Sequence, residues 1–427
     1  ADRNHFPLRD REVVALKPKP WSVLLSCMFG HNSGEPEVTR NLFSGGRRLQ
    51  GCDTWQVFAF QPFEECTSGC RKIGEFIAGT SMGSQIGALY AIGYDASSIE
   101  EIVTSQDWEA LLSDRISRKD ISIEEKQEDS RYVSTFPIRN GKISLPGGLI
   151  SGQRASLLLS RLTLPIHHVN DFKSFPIPFL CIATDLETGE AVVLDSGFLP
   201  DALRASMSIP SVFTPVEMDG QLLVDGGLVR NLPASDVREM GADIVIGVDV
   251  GAPLYQKEKL NSLVNVMEQT VNFRGAASTK RQQELRDILI SPNLHEFGIM
   301  SFDAVDTLIS LGEQAARQML SQLQALADIN DNKQLNQRLG SRLKPPEKIY
   351  VTELAFEGLS RVSENLLLAK LRIKIPSLVT FAQIGKAIER AYGTKFFERV
   401  TYKIEPGQTG TRLVIRVIEQ RDDVFRI

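Results

Sequence analysis

Short apolar runs that alternate with helical periods limit this chain to a small set of folds. The runs are rich in Val, Ile and Leu without strict alternation of apolar and polar residues, at 179–183, 191–194, 222–224 and 244–250. Continuous runs of this length are typical of strands buried on both faces of a parallel sheet that helices cover. The sequence therefore predicts the α/β class with a central, mostly parallel sheet.

A glycine-flanked serine lies between a predicted strand and a predicted helix. Residues 79–83 read Gly-Thr-Ser-Met-Gly, after the apolar segment 75–78 and before the helical run 84–92. A G-x-S-x-G match arises by chance about 0.2 times in a chain of this length at average glycine and serine usage. The strand before it and the helix after it are what a nucleophile elbow requires, so Ser81 is the candidate nucleophile.

The residues around Ser81 have the sizes and positions that such an elbow needs. The serine of an elbow has strained dihedral angles, and Gly79 and Gly83 are small enough to avoid a steric clash there. Backbone N–H groups at the start of the next helix point at the serine, which makes the N–H of Met82 a candidate oxyanion donor.

Ser81 needs a base, and the histidines are poor candidates. None of the five follows a predicted strand in a glycine-rich turn: His5, His31, His167, His168 and His295. The run 222–224 instead leads directly into Asp225-Gly226-Gly227. A carboxylate whose pKa is raised by burial accepts a seryl proton directly. We therefore favour Asp225 as the base, with an ordinary Asp-Gly turn as the alternative.

Several segments together resemble the patatin-like phospholipase family over residues 76 to about 330. In chain order they are 77–83 (IAGTSMG), 183–189 (ATDLETG), 202–210 (ALRASMSIP) and 224–233 (VDGGLVRNLP). The resemblance implies a three-layer α/β/α fold and a catalytic dyad of Ser81 and Asp225. It also implies hydrolysis of acyl esters in glycerophospholipids, with no metal and no cofactor.

Composition divides the chain into five parts. Residues 1–20 are polar and charged, which predicts a disordered lead-in. We assign 21–330 to the patatin-like domain, 331–346 to a polar linker, 347–419 to a second domain and 420–427 to a tail.

The second domain has a predicted order of strand, helix, helix, strand and strand. Four short segments resemble a POTRA domain, a small α+β fold: 356–359 (FEGL), 361–363 (RVS), 391–393 (AYG) and 397–400 (FERV). A patatin-like domain followed by a POTRA-like domain is similar to the type V secreted lipases, in which an outer-membrane β-barrel comes next. The resemblance implies a bacterial periplasmic, outer-membrane or secreted location and a β-barrel or outer-membrane partner. Because the sequence ends at Ile427 without a barrel, we expect a truncated chain or the product of a broken gene.

The segment 21–74 departs from the family pattern of an apolar first strand, a glycine-rich loop and an apolar helix. The only remnant is the stretch 44–48, in which Gly45 and Gly46 are candidate oxyanion donors. Four of the five cysteines also lie before residue 71. We interpret the segment as a shifted reading frame, with a divergent loop insertion as the alternative; reading the encoding DNA in all three frames distinguishes the two.

Charge and composition exclude some partners. A net charge of -5 argues against nucleic acid, which requires a concentrated basic surface. It also gives no general attraction to anionic membranes, so contact with a membrane surface is expected to be transient, apolar and local. Trp108, Leu111 and Leu112 are candidates to line acyl access, with packing of a cap helix as the favoured alternative. For Arg204 we favour a structural salt bridge over a role in ordering the site or binding a phosphate.

The first functional hypothesis is a serine acyl hydrolase acting on phospholipid or other fatty-acyl esters. The second is a catalytically impaired protein that acts through its POTRA-like domain, by pairing with extended strands. A third, weaker hypothesis is a thioesterase or peptidase with a histidine base.

Overall fold

The computed structural model describes residues 56–60, 76–114, 135–139, 142–143, 148–251, 254, 256–260, 263–294, 297, 301, 304–323, 347–420 and 423–426. The predicted lead-in 1–20 and linker 331–346 lie outside these residues. No helix in the described part is long and apolar enough to cross a bilayer.

The described chain contains both strands and helices from its N-terminal to its C-terminal part. The strands are β1 Gln56–Phe60, β2 Phe76–Thr80, β3 Thr135–Arg139, β4 Lys142–Ile143, β5 Gly148–Ile150, β6 Phe179–Asp185, β7 Ala191–Leu194, β8 Ser211–Phe213, β9 Val216–Met218, β10 Gln221–Asp225, β11 Ile244–Val248, β12 Ile288–Ile290, β13 Lys348–Val351, β14 Glu353–Glu357, β15 Ser377–Thr380, β16 Phe397–Pro406, β17 Thr411–Glu419 and β18 Asp423–Arg426. The helices are α1 Met82–Ile92, α2 Ala96–Thr104, α3 Trp108–Ser113, α4 Gln153–Leu162, α5 Leu199–Ser206, α6 Ala234–Glu239, α7 Leu263–Gln283, α8 Val305–Gln318, α9 Glu364–Leu371 and α10 Phe381–Tyr392.

The central sheet is mixed, so the prediction of a mostly parallel sheet is wrong. Its strands are hydrogen-bonded in the order β12-β11-β1-β2-β6-β10-β9, with β7 also paired to β6. Only β2 with β6 and β11 with β12 pair in parallel among these described strands. Tight hairpins account for part of the difference, since Asp219 and Gly220 join β9 to β10 with φ values of 52° and 80°. Positive φ at both central residues defines a type I′ turn, which joins antiparallel strands.

Helices cover both faces of this sheet and create two hydrophobic cores. All seven residues of β6 are buried. Alternate residues of β6 enter opposite cores: Phe179 and Cys181 belong to the larger one, and Leu180 and Ile182 to the smaller one beside α6. This period of two is the side-chain geometry of a strand. The arrangement confirms the α/β class, with a layer of helices on each side of the sheet.

Strand β1 lies inside the segment that was expected to lack a first strand. Residues 56–60 read QVFAF and pair antiparallel with both β2 and β11. The expectation is therefore wrong for these five residues. The stretch 44–48, with Gly45 and Gly46, lies outside the described residues, and the altered reading frame stays a prediction.

The C-terminal domain, residues 347–420, has its own core and contains five strands where the sequence predicted three, because the predicted first strand is divided into β13 and β14 and β15 is additional. Strand β14 pairs in parallel with β17, which pairs antiparallel with β16. The additional β15 pairs with β13 and leads directly into α10. The residues assigned to a tail include a strand as well, because β18 pairs antiparallel with β3 of the first domain. Four of the residues assigned to the tail thus have a strand conformation, at 423–426.

Candidate active site

Ser81 occupies a tight turn between β2 and α1, as an elbow requires. Its backbone has φ 56° and ψ -130°, a region that side-chain-bearing residues rarely adopt. A Cβ at Gly79 would lie 2.6 Å from the carbonyl oxygen of Gly83. Strand and helix thus approach so closely at Gly79 that only glycine fits, and Gly83 is buried in the first turn of α1.

The pairing of β6 explains how the turns at Ser81 and Asp225 meet. Along one side of β6, residues 181–184 pair with β7. Residues 179–182 also pair with β2, and residues 183–185 with β10. Each residue of a strand pairs with one neighbouring strand on each side, and β7 occupies one side of β6. Strands β2 and β10 therefore both lie on the other side, next to successive residues of β6. Strand β2 runs parallel to β6 and β10 runs antiparallel, so their C-terminal ends meet head to head.

Because the C-terminal ends of β2 and β10 meet, Ser81 and Asp225 are in hydrogen-bond contact. The Ser81 hydroxyl donates to Oδ2 of Asp225 at an Oγ–Oδ2 distance of 2.5 Å. The N–H of Gly227 donates to the other carboxylate oxygen at 2.7 Å, which fixes the orientation of the carboxylate. The exposed fractions are 8% for Ser81 and 6% for Asp225. The pair is therefore shielded from bulk water.

Burial also sets the protonation behaviour of Asp225. Desolvation raises its pKa from 3.8 to about 6, while the hydrogen bonds from Ser81 and Gly227 act in the opposite direction. A carboxylate with this pKa is ionised at neutral pH and is a stronger proton acceptor than an exposed aspartate.

The glycine after Asp225 is required by a close approach of backbone. A Cβ at Gly226 would lie 2.3 Å from the carbonyl oxygen of Ile182 and 3.0 Å from a methyl carbon of Thr80. Gly226 therefore lets the Asp225 turn rest directly on β6 beside the elbow.

We expect Gly226→Ala to lower ester hydrolysis at least about 100-fold, because a displacement near 1 Å costs that much at a catalytic centre. Gly385→Ala is the control, since Gly385 lies in α10 with no atom within 4 Å of its added Cβ. Alanine there is expected to leave the rate unchanged and raise stability by up to about 1 kcal/mol. Initial rates and melting temperatures of both variants test this expectation; equal rates would contradict it.

The candidate oxyanion donors lie in different parts of the chain. Met82 is the first residue of α1, where backbone N–H groups have no partner within the helix. The N–H of Ser81 itself donates to Oγ of Ser206 at 3.0 Å. Gly45 and Gly46 lie outside the described residues, so their role stays a prediction.

Arg204 forms no salt bridge in the described part of the chain, which overturns the favoured sequence interpretation. It is 1% exposed and donates to the hydroxyl of Ser208 and to the carbonyl oxygens of Ser151 and Thr214. Its guanidinium also lies over the ring of Phe213, and burial lowers its pKa to about 9. So deep a side chain does not reach a substrate phosphate, and Arg204 instead holds neighbouring backbone segments together.

Sequence reasoning missed the residues around Arg204 that support the dyad. Ser206 accepts from the Ser81 N–H and donates to the carbonyl oxygen of Ile182 at 2.6 Å. The carbonyl oxygen of Ser208 accepts from the N–H of Asp225 at 2.9 Å. The signal was present in the small residues of the segment 202–210, but their spacing alone does not reveal these partners.

Trp108 and His167 have hydrogen-bond partners other than the dyad. The Trp108 side chain donates from Nε1 to the carbonyl oxygen of Val103, which ties α3 to α2 and fits cap-helix packing. The Leu112 side chain lies outside the described set. His167 is buried against β16 and accepts from the N–H of Ile404, with no bond to Ser81.

Among the described residues, the dyad belongs to no metal-binding cluster and does not line the cavity beside α7. The described residues hold no group of three or more His, Cys, Asp or Glu side chains able to bind a metal ion. A cavity of about 300 Å³ lies behind the Asp225 turn. Its lining includes Arg230, Arg274 and Arg281 but neither member of the dyad.

A nucleophile elbow on an α/β sheet, with a buried carboxylate against its serine, has the geometry of a serine hydrolase site. Residues 68–238 match a protein-family model that is described as "Patatin-like phospholipase". Residues 68–238 therefore resemble a patatin-like phospholipase domain.

Several curated relatives are named as NTE family proteins. One uncharacterized NTE family protein of Mycobacterium tuberculosis is 28% identical over 63% of this chain and 45% of its own length. Another is 30% identical over 51% of this chain and 50% of its own length. Lysophospholipase NTE1 of Scheffersomyces stipitis is 28% identical over 42% of this chain and 10% of its own length. The chain spans about half the length of the first curated relatives it matches.

Proposed function

We propose that this chain is a serine acyl hydrolase that cleaves ester bonds of glycerophospholipids or other lipids through Ser81 and Asp225. The observation that carries the proposal is the 2.5 Å hydrogen bond from the Ser81 hydroxyl to the buried Asp225 carboxylate. The patatin-like phospholipase match and the lysophospholipase relative support a lipid ester as substrate.

In the first half of the proposed reaction, Asp225 accepts the proton of Ser81 as Oγ attacks the ester carbonyl carbon. The N–H of Met82 donates to the resulting oxyanion, and Gly45 or Gly46 is proposed as a second donor. Collapse of the tetrahedral intermediate breaks the bond to the alcohol. The departing alkoxide takes the proton back from Asp225, which leaves the acyl group on Ser81.

In the second half, water enters where the alcohol has left. Asp225 accepts a proton from this water, whose oxygen attacks the acyl carbonyl carbon. Collapse of the second tetrahedral intermediate releases the fatty acid, and the proton on Asp225 returns to Ser81. One carboxylate serves as base and acid in both halves, so the cycle requires no histidine.

Release of fatty acid from lipid vesicles tests the proposal. Vesicles of phosphatidylcholine and of lysophosphatidylcholine are incubated with the full chain, and free fatty acid is measured by mass spectrometry. We expect release that is lost in Ser81→Ala. Equal release of fatty acid by the unmodified chain and by Ser81→Ala would contradict the proposed activity.

The pH dependence of the rate follows from the raised pKa of Asp225. The base must be ionised, so kcat/KM is expected to rise about tenfold per pH unit below a pKa of about 6 and to level off above it. A pH profile on a soluble ester, whose own ionisation does not change between pH 4.5 and 8.5, measures this. A rate that stays constant down to pH 4.5 would contradict the assignment.

We also propose that residues 347–419 form a POTRA-like domain and that the protein acts in the bacterial periplasm, at the outer membrane or after secretion. The three-stranded sheet of β14, β17 and β16 with helices α9 and α10 supports the domain assignment.

The membrane surface and an outer-membrane protein are the proposed partners. Fractionation of the native host tests the location, and recovery only in the cytoplasm would exclude it.

A further inference from the structure

We infer that the C-terminal domain is a positioning element of the active site, acting through the contacts of Arg416 and Gln153 with the first domain. This inference rests on the proposed function of Ser81 and Asp225. It differs from the type V resemblance, in which the domain is a module for secretion or interaction.

The edge strand β16 of the C-terminal domain is bound by side chains of the first domain. Gln153 of α4 donates to the carbonyl oxygen of Val400 at 2.6 Å and accepts from its N–H at 2.9 Å. His167 accepts from the N–H of Ile404 at 3.1 Å. Val400 and Ile404 are four residues apart in β16, so their backbone N–H and C=O groups point to the same edge of the strand. An extended partner pairing at this edge would have to displace Gln153 and His167.

This contact is buried and continuous with a hydrophobic core. Gln153 and His167 are each 2% exposed. Leu164, which follows α4, is part of the core of the C-terminal domain, and Leu157 packs against that core. Buried side-chain amides whose hydrogen bonds are fully satisfied fix one arrangement, because any shift leaves polar groups unpaired. The two domains therefore have a defined relative position.

A second contact joins the C-terminal domain to the helix that supports the dyad. Arg416 of β17 donates to the Asp201 carboxylate at 2.6 Å, and its guanidinium lies 4.8 Å from the ring centroid of Phe198. Asp201 is in the first turn of α5, and Phe198 is the residue immediately before that helix. Arg416 thus holds the N-terminal end of α5.

The C-terminal end of α5 contacts the elbow itself. Ser206, the last residue of α5, accepts from the N–H of Ser81 at 3.0 Å. Two residues later, the carbonyl oxygen of Ser208 accepts from the N–H of Asp225 at 2.9 Å. A movement of α5 along or about its axis would therefore shift both members of the dyad.

A third contact reaches the same region through Arg204. Tyr392, the last residue of α10, shares a hydrogen bond of 2.7 Å with the hydroxyl of Ser151. The carbonyl oxygen of Ser151 accepts from Arg204 at 2.9 Å. Arg204 lies on α5, so the C-terminal domain contacts the surroundings of this helix at two separate points. That convergence is the reason to assign the domain a positioning role.

Arg416→Gln tests the role, and Arg412→Gln is its matched control. Both arginines lie on β17, and their side chains are 30% and 31% exposed. Arg412 pairs with Glu353 and Glu405 inside the C-terminal domain, whereas Arg416 pairs with Asp201 across the interface as well as with Glu357 inside its own domain. Partly exposed ion pairs contribute about 0 to 1 kcal/mol, so both variants are expected to fold.

We expect Arg416→Gln to slow modification of Ser81 by a fluorophosphonate about 10- to 100-fold relative to Arg412→Gln, at similar melting temperature. The effect should fall on kcat more than on KM for ester hydrolysis. The exchanged pair Arg416→Asp with Asp201→Arg is expected to restore most of the rate. Gln153→Glu loses the N–H donor to the carbonyl oxygen of Val400. We expect this independent variant also to slow the modification of Ser81.

Hydrogen exchange separates failure of this inference from failure of the proposed function. Peptides covering 199–208 should exchange faster in Arg416→Gln than in Arg412→Gln, whether or not Ser81 is reactive. Equal exchange in the two variants together with equal labelling would overturn the positioning role. Absence of labelling in the unmodified chain would instead overturn the proposed function.

Discussion

Replacing Asp225 with asparagine is expected to lower kcat/KM for an ester substrate by about 10,000-fold, the size of loss seen when a carboxylate partner becomes an amide. Asparagine keeps an oxygen for the N–H of Gly227, so the turn retains its shape. It cannot accept the proton of Ser81. Steady-state kinetics on a soluble ester measure the effect.

Asp249→Asn is the control for this variant. Asp249 is also a buried aspartate that follows a strand, and its carboxylate accepts from the N–H of Gly251 and from Gln283. It has no contact with Ser81 among the described hydrogen bonds. We expect most of the activity to survive in Asp249→Asn. Similar losses in the two variants would mean that Asp225 has no special role as a base.

The same Asp225 substitution is expected to increase stability at neutral pH. A folded-state pKa raised from 3.8 to about 6 means that the folded protein binds a proton more readily than the unfolded chain. The stabilising effect of that proton is complete below pH 3.8 and is lost as pH rises through about 6. At pH 7.5 the buried charge costs up to about 3 kcal/mol at 1.36 kcal/mol per pKa unit. Urea unfolding should therefore find Asp225→Asn more stable than the unmodified chain at pH 7.5, with no such difference near pH 4.

The second large effect is expected for Arg204→Lys, which should lower the free energy of unfolding by about 3 kcal/mol or more. Lysine keeps a buried charge but cannot reach the three acceptors that the guanidinium holds, the Ser208 hydroxyl and the carbonyl oxygens of Ser151 and Thr214. Arg204→Met should cost less, because it removes the charge from an apolar site.

Arg317→Lys is the control for the Arg204 variants. Arg317 forms an exposed pair with Glu313 within α8, so its change should stay within about 0.5 kcal/mol. Chemical denaturation of the three variants gives the comparison. If Arg204→Lys were as stable as the unmodified chain, Arg204 would not be the organising residue that its contacts indicate.

The local chemistry of the site could be predicted from the sequence. Ser81 between two glycines, after a strand and before a helix, has few structural solutions, and Asp225 before Gly226 and Gly227 similarly marks a turn after a strand. Each pattern reflects a local steric requirement. At Gly79 and Gly226, neighbouring backbone lies so close that there is no room for a Cβ.

The way the two turns meet could not be predicted, because it depends on strand pairing. The sequence pattern predicted a mostly parallel sheet. The structure instead has β2 and β10 meeting head to head beside β6. Pairing partners are chosen by contacts far apart in the chain, and a short run such as 221–225 carries no information about direction.

Buried polar support was equally hidden from sequence reasoning. Arg204, Ser206 and Gln153 are residue types that are usually exposed, and nothing in their sequence context marks them as internal. Their roles come from acceptors supplied by other segments: the carbonyl oxygens of Ser151, Ile182 and Val400. Such long-range pairings require the folded structure.

Identification of the residue modified by a fluorophosphonate tests the Ser81–Asp225 dyad most directly. The full chain is treated with the reagent, and the adduct is located by intact mass and peptide mapping. The dyad predicts one adduct, on Ser81, that is absent from Ser81→Ala and forms far more slowly in Asp225→Asn. An adduct on another residue, or equal modification of the Ser81→Ala chain, would contradict it.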